Sequence, residues 1–84
     1  MRTRRSREAI ILEILCICQD GQNITGIVHR ANTNYATIKA YLDKLVERGF
    51  VAVENSPSTI YMTTEEGIAL RVRLQSIMDS LQGL

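Results

Sequence analysis

Apolar positions in this chain change their spacing several times, and each change marks an element. Between Ser6 and Cys18, residues Ile10, Ile11, Ile14, Leu15 and Cys18 recur at helical intervals and predict a first helix with one apolar stripe. Asp20-Gly21 ends it. Ala9, Leu12 and Cys16 form a second strip on roughly the opposite side, so this helix is apolar nearly all round and needs cover on both faces. Ile24, Ile27, Val28 and Ala31 predict a short second helix over 24–31, with Asn23 or Thr25 as its N-cap. A third helix follows Asn32-Thr33-Asn34. Asn34 caps it, Ile38, Leu42, Leu45 and Val46 face inward, and Gly49 stops it as a C′ glycine does.

After Gly49 the pattern becomes strand-like. Phe50–Glu54 and Thr59–Met62 are β-prone runs around Asn55-Ser56-Pro57-Ser58, which reads as a hairpin. Thr63 and Glu66 have capping-box spacing, so a last helix is expected from there to about Leu81. Along it Leu70, Leu74, Ile77, Leu81 and Leu84 are spaced 4, 3, 4 and 3 residues apart, the rhythm of a coiled-coil seam. Such a stripe packs on the first helix of its own chain or on a second copy. The surplus apolar surface of the first helix, at Leu12 and Cys16, favours a homodimer that uses both helices. The expected class is α+β: mainly helical, with a small hairpin.

Composition narrows the function. With 84 residues, 45% hydrophobic and 23% charged, the chain can build one core and not two. Its longest apolar runs are divided by Glu13 and fall far short of the roughly 20 residues of a membrane span. MRTRRSRE is not followed by a secretory pattern, so a cytoplasmic protein is expected. Cys16 and Cys18, two apart on a helix, point to different sides; they read as core and interface packing, with a redox or metal switch as the alternative. His29, the one histidine, reads as a surface residue. No metal-ligand spacing, phosphate loop, nucleophile elbow or paired carboxylates is present, so no enzyme, cofactor, metal or small-molecule effector is expected.

Charge is uneven despite a net value of +1. Residues 1–48 carry eight Lys/Arg against five acids, and residues 49–84 carry two against four. Gly21–Leu42 contains no acid, as suits a surface that approaches phosphates. With Ile38 at the centre of the buried stripe, Ala36, Thr37, Ala40 and Lys44 of the third helix turn outward, with Lys39 and Tyr41 at the margins. Small and polar residues of this kind permit close approach to a major groove and hydrogen bonding within it. Two helices around a tight turn, followed by a hairpin, point to double-stranded DNA. Candidate contacts are Arg30, Asn32, Thr33, Asn34, Tyr35, Ala36, Thr37, Lys39, Ala40 and Lys44. Arg2, Arg4, Arg5 and Arg7 add a basic N-terminal stretch suited to phosphates or a minor groove.

The segments GQNITGIVHRANTNYATIKAYLDKLVERGFV and IYMTTEEGIAL resemble small archaeal winged-helix DNA-binding proteins, a family in which an elongated C-terminal helix joins two winged helix-turn-helix domains. Gly21, Thr25, Asn32, Asn34, Tyr41-Leu42, Leu45, Gly49-Phe50 and Tyr61–Gly67 carry the resemblance, which spans about Arg5 to Leu81. It implies a dimeric transcriptional regulator or chromatin-associated protein, built as one winged-helix domain over 1–84. Within it, 1–5 would be a flexible basic arm, 6–62 the core and 63–84 the dimerisation helix. The seam would then use Leu70, Leu74, Ile77, Leu81 and Leu84. The hairpin tip has no Lys or Arg, so contact there falls to residues such as Ser56 and Ser58 or to backbone amides. A helix ending at Leu84 implies a weak dimer, or one that recruits the first helix. The alternative is an interaction module of the same fold without DNA affinity, which the cation-free tip favours.

Overall fold

Four helices and one hairpin follow one another in the computed structural model, which describes residues 5–84. Helix α1 is Arg7–Ile17, continued by a 3₁₀ turn over Cys18–Asp20; α2 is Ile24–Ala31 and α3 is Tyr35–Glu47. Strands β1 (Val51–Glu54) and β2 (Ile60–Thr63) lead into α4, Glu65–Leu81.

Local chemistry sets nearly every boundary. The side chains of Ser6, Asn23 and Asn34 accept hydrogen bonds from the backbone N–H groups of Ala9 (3.1 Å), Gly26 (2.7 Å) and Thr37 (2.8 Å). Each satisfies a donor that a helix start leaves unpaired. Of the two candidate caps of α2, Asn23 holds the position and Thr25 is exposed. Gly49, at φ 82°, donates to Val46 O while Phe50 donates to Leu45 O, the paired bonds of a Schellman ending.

The start of α4 differs from the expected capping box. Thr64, not Thr63, is the N-cap, and its hydroxyl accepts from Gly67 N–H at 3.1 Å. Thr63 belongs to β2, and its buried hydroxyl donates to Leu15 O at 2.7 Å, tying the hairpin to α1. Both threonines have capping chemistry, and the last strand residue is decided by the register Val51↔Thr63. Thr64 also donates to Gly49 O at 2.6 Å. Gly67 packs so closely that an added Cβ would stand 2.1 Å from Phe50 O. The Thr63-Thr64-Glu65-Glu66-Gly67 run is thus a junction between α3, the hairpin and α4.

Ile14, Leu15 and Cys18 of the first helical stretch, Ile27 and Ala31 of α2, Ile38, Leu42 and Leu45 of α3, and Val51 and Tyr61 of the hairpin form the core. Val28, Val46, Ile10 and Ile11, expected inside, are half-buried around it. Ile17 and Tyr61 join the core without having been expected there. Ile17 was hidden by the all-round apolar character of α1. Tyr61 is drawn in by a two-way backbone pairing with Gln22 (2.9 and 2.8 Å), which makes residue 22 a short third edge to the hairpin.

Candidate nucleic-acid interface

The turn between α2 and α3 depends on Asn32, which sits in the left-handed region at φ 54°. Asparagine tolerates that conformation better than other residues with a Cβ. Asn32 N–H donates to His29 O and Thr33 N–H to Val28 O, closing α2. Thr33 is half-buried, and the side chain of Asn34 is occupied as the cap. Beyond it Tyr35 is 57% exposed, Ala36 and Ala40 are exposed, and Thr37 is half-buried. These residues form the outward face of α3, while Ile38, Leu42 and Leu45 lie in the core.

The candidate cations divide into four groups. Arg2 and Arg4 lie outside the described residues. Arg5 is engaged inside the protein, where its guanidinium pairs with Glu13 and also donates to Asn32 O at 3.2 Å. It therefore links α1 to the α2–α3 turn. Lys39 donates to Asp43 at 2.7 Å, one turn along α3. That hydrogen bond, assisted by the charge of Asp43 and opposed by partial desolvation, holds the ammonium above its ordinary pKa. The acid that limits the expected acid-free surface is thus Asp43, one residue past Leu42. Arg30 is exposed in the last turn of α2, beside exposed His29.

Lys44 has a different setting. It lines an open groove of about 520 Å³ with Arg7, Thr37, Ala40, Tyr41 and Arg48. Arg48 was not among the sequence candidates, although its four-residue spacing from Lys44 places both on one strip of α3. At the hairpin tip Ser56 and Ser58 are exposed, and Asn55 accepts a hydrogen bond from Thr59 at 3.3 Å.

The candidate dimer residues also divide. Leu70 and Leu74 are half-buried against the core of their own chain, whereas Ile77, Leu81 and Leu84 are 56%, 59% and 95% exposed. Half-buried Leu12 and exposed Cys16 line a shallow groove with Ala9, Gln75 and Met78 between α1 and α4. Cys18 lies in the core, where burial pushes its thiol up to about 11 against a smaller opposing pull from Arg30. Among the described residues, no helix is long and apolar enough to cross a membrane.

Known proteins share this arrangement. The chain is similar to Sso10a-2, a DNA-binding protein from Sulfolobus solfataricus, with a TM-score of 0.84 and 30% identity over 89% of this chain and 80% of that one. Two MarR proteins share the fold. They are the transcriptional regulator SPO1453 from Silicibacter pomeroyi, with a TM-score of 0.70 and 18% identity over 84% of this chain and 54% of that one, and the multiple antibiotic-resistance repressor from Listeria monocytogenes, with a TM-score of 0.70 and 16% identity over 88% and 60%. The uncharacterized protein MJ0287 of Methanocaldococcus jannaschii is 37% identical over 51 residues, 60% of this chain and 53% of that protein. The chain thus spans about half the length of this relative. A model of the winged helix-turn-helix family matches residues 4–82, and together with the helices, turn and hairpin described above it shows that this chain belongs to that family.

Proposed function

We propose that this chain binds double-stranded DNA through the outward face of α3 and acts as a homodimeric transcriptional regulator or chromatin-associated protein of the cytoplasm and nucleoid. The observation that carries the reading is the outward face of α3, exposed at Tyr35, Ala36 and Ala40, half-buried at Thr37 and presented by a capped turn. Such a face fits a major groove. Similarity to Sso10a-2 at 30% identity supports the same reading. Arg30 and Lys44 supply phosphate contacts on either side. Ile77, Leu81 and Leu84 supply an apolar surface for a second copy, with Leu12 and Cys16 extending it.

Binding of a labelled random-sequence duplex, followed by fluorescence anisotropy from low to moderate salt, tests this function. Affinity should fall steeply as salt rises. Absence of binding at the lowest ionic strength would leave the second reading, a protein-interaction module of the same fold. That reading draws on the cation-free hairpin tip and on the pairing of Lys39 with Asp43. In a dimer the two α3 helices should address half-sites about one helical turn apart, or a multiple of it.

A further inference from the structure

Phosphate neutralisation supplies much of the affinity of a DNA-binding protein, so the cations beside α3 decide how it would hold a duplex. On the hairpin side the supply is poor. Residues Asn55–Thr59 contain no Lys or Arg, and Lys39 is held by Asp43. On the α1 side Arg7, Lys44 and Arg48 line the same open groove without a carboxylate, and the one carboxylate of the adjoining hollow that these cations share is Glu8. Among the described residues Lys44 and Arg48 make no ion pair, and Arg7 has only a 4.0 Å approach to Glu8 with both side chains exposed. Pairs of that kind contribute little. Glu47 is turned about 100° from Arg48 around the helix and does not line the groove.

Thr37 and Ala40 form the other edge of this groove, and both belong to the outward face of α3. The cationic strip is therefore continuous with the face that would enter the major groove. Lys44 and Arg48 stand one helical turn apart, about 6 Å along the axis, with Arg7 reaching in from the first turn of α1. A row of cations along an open trough fits a linear polyanion, whereas a single small anion would need donors converging on one point.

We propose that this groove grips the phosphodiester backbone of one DNA strand, with Arg48 as an unassigned contact, so that the grip lies on the α1 flank of α3 instead of at the hairpin. The inference rests on the DNA-binding reading above and adds where the charge acts. It is tested on the full chain with Arg7→Ala, Lys44→Ala and Arg48→Ala, using Arg73→Ala on the exposed outer side of α4 as a control of equal charge change. Each groove variant should make the slope of log K against log salt shallower by about 0.9, and should weaken binding about eightfold at 0.1 M salt. The loss should be equal on duplexes of unrelated sequence, as expected for phosphate rather than base contacts. Arg73→Ala should change neither quantity to that extent. If wild-type protein binds and the three groove variants behave like Arg73→Ala, the grip lies elsewhere and the DNA-binding reading survives. If wild-type protein does not bind at low salt, both fall.

Discussion

The two ends of α4 carry the same leucine rhythm and have different surroundings. At its start, Thr64 caps the helix and bonds to Gly49 O, Gly67 lies against Phe50, and Leu70 and Leu74 pack on the core. At its end, Ile77, Leu81 and Leu84 face solvent. The helices α1 and α4 run antiparallel, since Thr63 bonds to Leu15 O while Ser6 and Glu8 flank Leu74, Met78 and Leu81. With 11 residues against 17, α1 covers only part of its neighbour. The seam is therefore divided: its first half completes the fold, and its second half stays exposed.

The sharpest way to break this contrast is at the closed end. Gly67→Ala would drive a Cβ into the Phe50 carbonyl oxygen, a backbone atom that cannot turn aside. A loss of about 3 kcal/mol in denaturant unfolding is expected, the upper end for overpacking. An unchanged midpoint would show that α4 can shift away from the hairpin.

A matched pair of charge insertions separates the two halves of the seam. Leu74→Glu places a carboxylate against the core and should cost about 2–4 kcal/mol of stability in the monomer itself. Leu81→Glu should leave monomer stability within about 0.5 kcal/mol while halving the mass seen by sedimentation. If Leu81→Glu unfolds the chain as Leu74→Glu does, the open end is part of the fold.

The last effect, absent at neutral pH, distinguishes the two cysteines. Cys18 titrates near 11 in the folded state against an ordinary 9.0, so the folded protein binds the thiol proton more tightly than the unfolded chain. Its contribution is fully present below pH 9 and is lost between pH 9 and about 11, amounting to about 2–3 kcal/mol. Cys18→Ala should flatten that part of a stability-versus-pH curve. In the Leu81→Glu variant, held as a monomer, a thiol reagent at neutral pH should modify exposed Cys16 and spare Cys18 until the protein unfolds.

Features governed by neighbours in the chain were legible without coordinates. Asn34 caps α3 because an Asn side chain reaches the N–H three residues ahead, and Gly49 ends it because the left-handed position favours a residue without a Cβ. The apolar stripes of α2 and α3 likewise follow from the 3.6-residue period. Within the candidate interface, the outward face from Tyr35 to Ala40 was readable on the same grounds. The state of its cations was not. Arg5 and Lys39 look free along the chain, but Arg5 meets Glu13 and Asn32 across the fold and Lys39 meets Asp43 one turn away. Arg48 stood among the charges, and only the packing of α1 brings Arg7 into the same groove.

The amino-acid sequence by itself determined the order of four helices and a hairpin, where most of them start and stop, and which face of α3 turns outward. Caps, turns and apolar periods act over a few residues, so their outcome is written locally. Tertiary structure alone decided that Thr63 serves α1 and Thr64 serves α4, that Tyr61 is drawn into the core by Gln22, and that only Leu70 and Leu74 of the seam are used by the chain itself. It also decided that Arg5 and Lys39 are paired within the chain. Those outcomes depend on distances between segments far apart in the chain, and such distances exist only after the core has formed.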